Sequence, residues 1–105
     1  MVQRFTPERL KERAEKEEAA WLPAYGWLMG VLPLLNPGEI KQQIAPQPPE
    51  VFAVYSTLYH AEKARRSQAE NLIALRKKLK ETAPNELFQG YMERVQKQQA
   101  HAHLW

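Results

Sequence analysis

Apolar residues recur along the chain at spacings of three and four, and no stretch alternates between apolar and polar residues as a half-buried strand does. The first helix start is at Thr6, a good N-cap residue, followed by Pro7, which suits the first helical position. This pattern predicts a first helix over about 7–22. Pro23 is expected to break or kink it, because proline lacks the backbone N–H that the helix needs.

The segment after this helix is rich in proline and glycine. We expect an apolar, irregular helix or bent segment over about 24–35. Residues 36–39 (Asn-Pro-Gly-Glu) have the pattern of an N-cap, a first-turn proline and a capping box, which predicts a short helix over about 37–44. The prolines of residues 45–49 end that helix and predict a stiff, extended break.

The longest pattern in the chain is a heptad repeat that begins near Pro49. Its apolar positions, called the heptad seam below, are Val51, Leu58, Leu72 and Leu79 at one position and Val54, Ala61 and Leu75 at the other. Arg65 and Gln68 interrupt the seam in its middle. The repeat predicts one long central helix over about 50–80.

A last helix is predicted from the cap residue Asn85 to about residue 100, with a flexible tail over about 100–105. One face of this helix carries Leu87, Phe88, Tyr91, Met92 and Val95. The fold class that follows is all-α: a small helical bundle of about four helices. A chain of 105 residues is expected to form one domain, here 1–105 with the proline-rich break at 45–49.

Residues 19–38 contain no charged side chain, although 26% of the chain is charged. Three roles are open for this stretch: a membrane span, a folding core, or a surface for a partner. Its prolines and glycines dilute the apolarity that a span requires, so a core role is favoured. The aromatic residues Trp21, Tyr25 and Trp27 are of the type found at interfaces, and we expect them to bind a partner.

Composition limits the compartment and the chemistry. The chain has no cysteine and therefore no disulfide, and its first 18 residues contain no apolar signal-peptide core. We expect a cytoplasmic protein. The 44% of hydrophobic residues is typical of a globular domain.

The net charge of +3 is unevenly distributed. Residues 51–80 hold seven basic and two acidic side chains. The predicted nucleic-acid-binding residues are these seven cations: Lys63, Arg65, Arg66, Arg76, Lys77, Lys78 and Lys80. On one continuous helix they would form a cationic strip about 25 Å long, which could bind phosphates without reading the base sequence.

The sequence offers no enzymatic or cofactor motif. It has no cysteine nucleophile, no serine in a G-x-S-x-G turn, and no glycine-rich phosphate loop. His101 and His103 provide only two potential metal ligands near the end of the chain. We therefore expect no catalytic residues, no metal and no cofactor.

Two functions remain open. The first is a non-enzymatic subunit of a larger nucleoprotein assembly, which contacts DNA or RNA backbone through the basic helix and partners through its apolar and aromatic surface. In size, helicity and charge, though in no motif, the chain resembles the small all-helical subunits that line the strand groove of CRISPR effector complexes. The second is a protein-only adaptor or chaperone that self-associates through the heptad seam over 51–79. A peripheral contact with anionic lipid is a minor third option.

Overall fold

The computed structural model describes residues 7–63 and 66–103, with the backbone alone for Pro7, Leu10 and residues 99–103. Its helices are α1 (Pro7–Val31), a 3-10 turn (Leu32–Leu34), α2 (Ile40–Ile44), α3 (Pro49–Glu62), α4 (Gln68–Glu81) and α5 (Pro84–His103). The described residues contain no strand, so the all-α fold class is confirmed. The part of the chain that the structure describes forms five α-helices, where about four were expected.

The first helix does not end at Pro23, as the sequence predicted, but continues to Val31. Proline removes one helical hydrogen bond, and the side chains of Ala19 and Pro23 are both exposed, so water can reach this turn. Buried residues on both sides of the proline, Trp21 before it and Tyr25 after it, hold the helix against the core. The predicted cap Thr6 lies outside the described residues.

The connection from α1 to α3 is folded rather than extended. Asn36 does not cap a helix at Pro37; its side-chain amide donates to the carboxylate of Glu39 at 3.1 Å, and α2 begins only at Ile40. The proline-rich residues that follow turn back on α2, because the N–H of Gln47 bonds the carbonyl of Ile44 at 3.0 Å. Pro49 starts α3, which agrees with the prediction.

The single helix expected over about 50–80 is two helices. Lys63 adopts a left-handed conformation with φ 46°, and its N–H bonds the carbonyl of His60, which ends α3. Ser67 then caps α4, with its side-chain oxygen 3.5 Å from the N–H of Glu70. The Ser67-x-x-Glu70 pattern is that of a capping box, a helix start that the heptad repeat concealed.

α1 packs against α3, α4 and α5. The hydroxyl of Tyr25 is 2.7 Å from the carbonyl oxygen of Leu79 and 2.8 Å from that of Thr82, which ties α1 to the end of α4. Trp21 packs edge-on against Phe88 of α5, with ring centroids 5.6 Å apart. On the far side, Arg94 of α5 donates to Thr57 of α3 at 3.3 Å.

The core role predicted for residues 19–38 is confirmed for one side of α1 and wrong for the other. The buried residues of this stretch are Trp21, Ala24, Tyr25, Leu28, Leu32 and Leu35. The opposite side, called the α1 outer face below, is exposed and consists of Ala19, Leu22, Pro23, Gly26, Met29, Gly30 and Pro33, with Leu34 of the 3-10 turn beyond it. The uncharged stretch therefore supplies both a core and an uncovered apolar surface.

The last helix agrees with its prediction and is longer. It starts at Pro84, one residue before the expected cap, and continues to His103, so most of the expected flexible tail is helical. Leu87 and Phe88 are buried on its inner face.

Candidate nucleic-acid interface

The described members of the predicted cationic strip are not carried by one continuous helix. The break between α3 and α4 leaves Lys63 at the end of α3 and places Arg76, Lys77, Lys78 and Lys80 on α4. Arg65 lies outside the described residues. The continuous 25 Å strip therefore does not form, because its helix is interrupted by the left-handed residue and the Ser67 cap.

Arg76 faces the interior, contrary to the prediction that it contacts phosphate. Its side chain is half-buried; Nε donates to the carbonyl of Leu32 at 2.9 Å, and Nη2 donates to the carbonyl of Leu35. Both carbonyls lie just beyond the end of α1, where the helix leaves acceptors without internal partners. Arg76 is thus a structural residue that links α4 to the segment just after α1.

Lys78 is paired within the protein. Its ammonium lies 3.8 Å from the carboxylate of Glu62 at the end of α3, with both side chains partly exposed. An ion pair of this kind contributes about 0–1 kcal/mol. It nevertheless offsets the charge of Lys78 where a phosphate would have to bind.

The remaining predicted cations Lys63, Arg66, Lys77 and Lys80 are exposed, and none forms an ion pair with a carboxylate of the described residues. Two of them nevertheless face acids across a groove beside α4. This mixed-charge groove is lined by Arg66, Lys77 and Lys78 and by Glu62, Glu70 and Glu81. Three cations and three carboxylates balance, so this side of α4 is a poor surface for a polyanion.

A second groove lies between α2, α3 and α4 and has a volume of about 440 Å³. We call it the aromatic groove, after Phe52, Tyr55 and Tyr59, which line it from one face of α3. Ile40, Ile44, Leu72 and Leu75 form its apolar walls. The charged residues in its lining are Lys41 and Arg66, and no carboxylate is among the described residues that line it.

The aromatic side chains of this groove differ in exposure. Phe52 is 61% exposed, whereas Tyr55 is half-buried, and the rings of Tyr55 and Tyr59 lie 6.4 Å apart at 35°. Burial, and secondly the neighbouring Tyr59, raise the pKa of Tyr55 above its ordinary value. The Tyr55 hydroxyl therefore stays neutral at physiological pH.

Asn71 of α4 is the polar group in the wall of the aromatic groove. The residue is only 8% exposed, and its side-chain oxygen has no hydrogen-bond partner among the described residues. Buried polar atoms are normally paired, because an unpaired one loses its bond to water without compensation. This oxygen is itself buried, so it lies behind the surface of the groove rather than on it.

Sequence reasoning did not find the aromatic groove, although a signal was present. Phe52, Tyr55 and Tyr59 have the spacing of a helix stripe, and they fall beside the heptad seam rather than on it. The seam itself is not a surface, since Val51, Leu58, Leu72 and Leu79 are buried in the core of the chain. These four seam residues are therefore not available for self-association while the chain is folded.

Two of the three predicted partner-binding residues are also internal. Trp21 is 3% exposed and Tyr25 is 8% exposed, so neither can contact a partner while the chain is folded. Trp27 is half-buried at the edge of the core. The reason is their phase on α1: Trp21 and Tyr25 lie opposite the α1 outer face, one turn apart.

The described residues provide no metal site: they bring together no group of three or more histidine, aspartate or glutamate side chains. The side chains of His101 and His103 lie outside the described part. None of the described helices combines the length and the apolarity that crossing a bilayer requires.

Comparison of the chain with protein-family models, with curated proteins and with solved structures gives no significant match.

Proposed function

We propose that this chain is a non-enzymatic, cytoplasmic subunit of a larger nucleoprotein assembly. It contacts nucleic-acid backbone through the cations of the aromatic groove, and it contacts a protein neighbour through the α1 outer face. This role is the one expected from the sequence, but different cations carry it. Lys41 on α2 and Arg66, just before α4, take the place of the continuous basic helix.

The nucleic-acid contact is supported by the charge of the residues that line the aromatic groove. Lys41 and Arg66 line the aromatic groove, and no carboxylate is among its described lining residues. Arg66 also lines the mixed-charge groove, where three carboxylates offset three cations, so Lys41 is the cation that belongs to the aromatic groove and not to the mixed-charge groove. Lys63 is exposed at the end of α3 but is not among the residues that line this groove. Unpaired surface cations attract phosphates and release the counterions condensed on them.

The α1 outer face supports the contact with a protein neighbour. It combines the exposed side chains Leu22, Met29 and Leu34 with two glycines, Gly26 and Gly30. Apart from the adjoining backbone of α1, no described residue would lie within 4 Å of a Cβ at either glycine. Contiguous apolar surface of this kind marks interaction sites more often than isolated exposed residues do. The glycines leave space for a second backbone to approach closely.

We expect the purified chain to bind nucleic acid regardless of its base sequence, with an affinity that falls as the salt concentration rises. Each phosphate contact should contribute about 0.7–0.9 to the slope of log affinity against log salt. Fluorescence anisotropy with labelled DNA and RNA oligonucleotides, single-stranded and duplex, across a salt series measures this slope. Absence of salt-dependent binding to all of them would contradict the nucleic-acid contact and favour a protein-only adaptor that uses the α1 outer face.

In the absence of its neighbour, we expect the α1 outer face to cause concentration-dependent self-association. Leu22→Glu should shift the average mass in sedimentation experiments towards the monomer, because it places a charge on the apolar surface. Ile73→Glu is the matched control, since Ile73 on α4 is 64% exposed and Leu22 is 61% exposed. Equal effects of the two variants, or a chain that is monomeric at every concentration, would contradict association through this face.

A further inference from the structure

We propose that the aromatic groove binds the unpaired bases of a single strand, by stacking on Phe52 and the neighbouring tyrosines, while Lys41 and Arg66 hold the flanking phosphates. This inference rests on the proposed function and makes it more specific. It names a single strand rather than a duplex, and it adds contacts to bases to those with the backbone.

The aromatic residues of the groove are placed where bases could stack on them. Phe52, Tyr55 and Tyr59 follow one face of α3 over two helical turns, and Phe52 is largely exposed even though a buried apolar wall stands opposite. A flat aromatic ring at the mouth of a groove offers its face to another flat ring. Every nucleobase presents such a face, and stacking of this kind tolerates any base sequence.

The charged side chains in the lining of the groove are both cations. Lys41 approaches the groove from α2, and Arg66 approaches it from the loop before α4, so the cations come from two different elements. A single strand carries a phosphate on either side of each base. Cations around an aromatic platform, with no carboxylate among the described lining residues, therefore complement this polymer.

A duplex does not fit this arrangement. Its bases are already stacked and paired, so their faces are not accessible to Phe52. An acidic amphipathic peptide would also match an apolar groove with two cations. It would, however, use the exposed ring of Phe52 only as apolar area, and the test below distinguishes the two occupants.

The test is Phe52→Ala, measured with a labelled single-stranded oligo(dT), its RNA counterpart, an abasic oligomer of equal length, and a duplex. Loss of one stacked base is expected to weaken binding to the single strands by about 5- to 140-fold. Phe52→Trp should retain binding because it keeps the aromatic face. Ile73→Ala, at a residue of similar exposure on another surface, should leave binding unchanged.

The wild-type chain should also prefer the single strand over both the abasic oligomer and the duplex. If single-strand and abasic ligands bind equally and Phe52→Ala has no effect, base stacking is wrong, while salt-dependent binding would leave the proposed backbone contact intact. If an acidic amphipathic peptide binds with a dependence on Phe52 and the oligonucleotides do not bind, the groove is a peptide site and the inference is overturned. Circular dichroism of each variant confirms that the exposed substitutions leave the helices folded.

Discussion

The double variant Lys41→Glu with Arg66→Glu is expected to lose nucleic-acid binding, by at least about tenfold at physiological salt and with a smaller salt slope. Both side chains line the aromatic groove, so the substitution replaces two phosphate-binding cations with two charges that repel phosphate. Removal of two contacts lowers the log–log slope by about 1.4–1.8. Titration of a labelled single strand across a salt series measures both changes.

The matched control for this variant is Lys77→Glu with Lys80→Glu. It changes the net charge of the protein by the same amount, from cations that are also exposed, on the outer side of α4. Because Lys77 there already faces Glu70 and Glu81, we expect this variant to bind much more nearly like the wild type. If the two variants lose the same affinity, the effect is one of net charge, and the groove has no special role.

The second large effect concerns stability. Leu58→Ala and Leu72→Ala should each lower the free energy of unfolding by about 2–5 kcal/mol, because each removes a fully buried side chain and leaves a cavity. A domain of this size has a total stability of about 5–15 kcal/mol, so either loss is a large fraction of it. Urea unfolding followed by circular dichroism gives the values.

Ile73→Ala serves as the control, since Ile73 is the next residue after Leu72 and is exposed to solvent. It should change stability by no more than about 0.5 kcal/mol. Small losses for both Leu58 and Leu72 would mean that the heptad seam is not the core of the isolated chain. In that case a partner, rather than α1, would cover it.

The sequence predicts the helical class and most of the helix starts, because caps, prolines and apolar spacing are local signals. Its two main errors are of opposite kinds. Pro23 is a local signal for a break that the tertiary packing of Trp21 and Tyr25 overrides. The break between α3, which ends at Lys63, and α4, which Ser67 caps, was missed for the opposite reason. The Ser67-x-x-Glu70 helix start is a local signal, but the heptad repeat continues across it and concealed it.

The candidate site was harder to predict than the fold. Nothing in the local sequence distinguishes the role of Arg76 from that of Lys77. Arg76 is half-buried because it donates to the carbonyls of Leu32 and Leu35, which lie more than 40 residues away in the sequence. Arg66, the second cation in the lining of the aromatic groove, is likewise placed by long-range structure. The break between α3 and α4 brings it to the same groove as Lys41 on α2. Charge counting along a segment records neither kind of long-range relationship.

The contacts of α1 with α4 and α5 also affect how the protein is made. Trp21 packs against Phe88 and Tyr91, and Tyr25 bonds Leu79 and Thr82, so α1 completes its contacts only after α5 has been synthesised. During synthesis α3 can already pack against α1, but the side of α1 that contacts α4 and α5 stays uncovered until those helices have emerged. Nascent chains of this protein should therefore need protection from aggregation late in translation, and a truncation before α5 would leave that side permanently open.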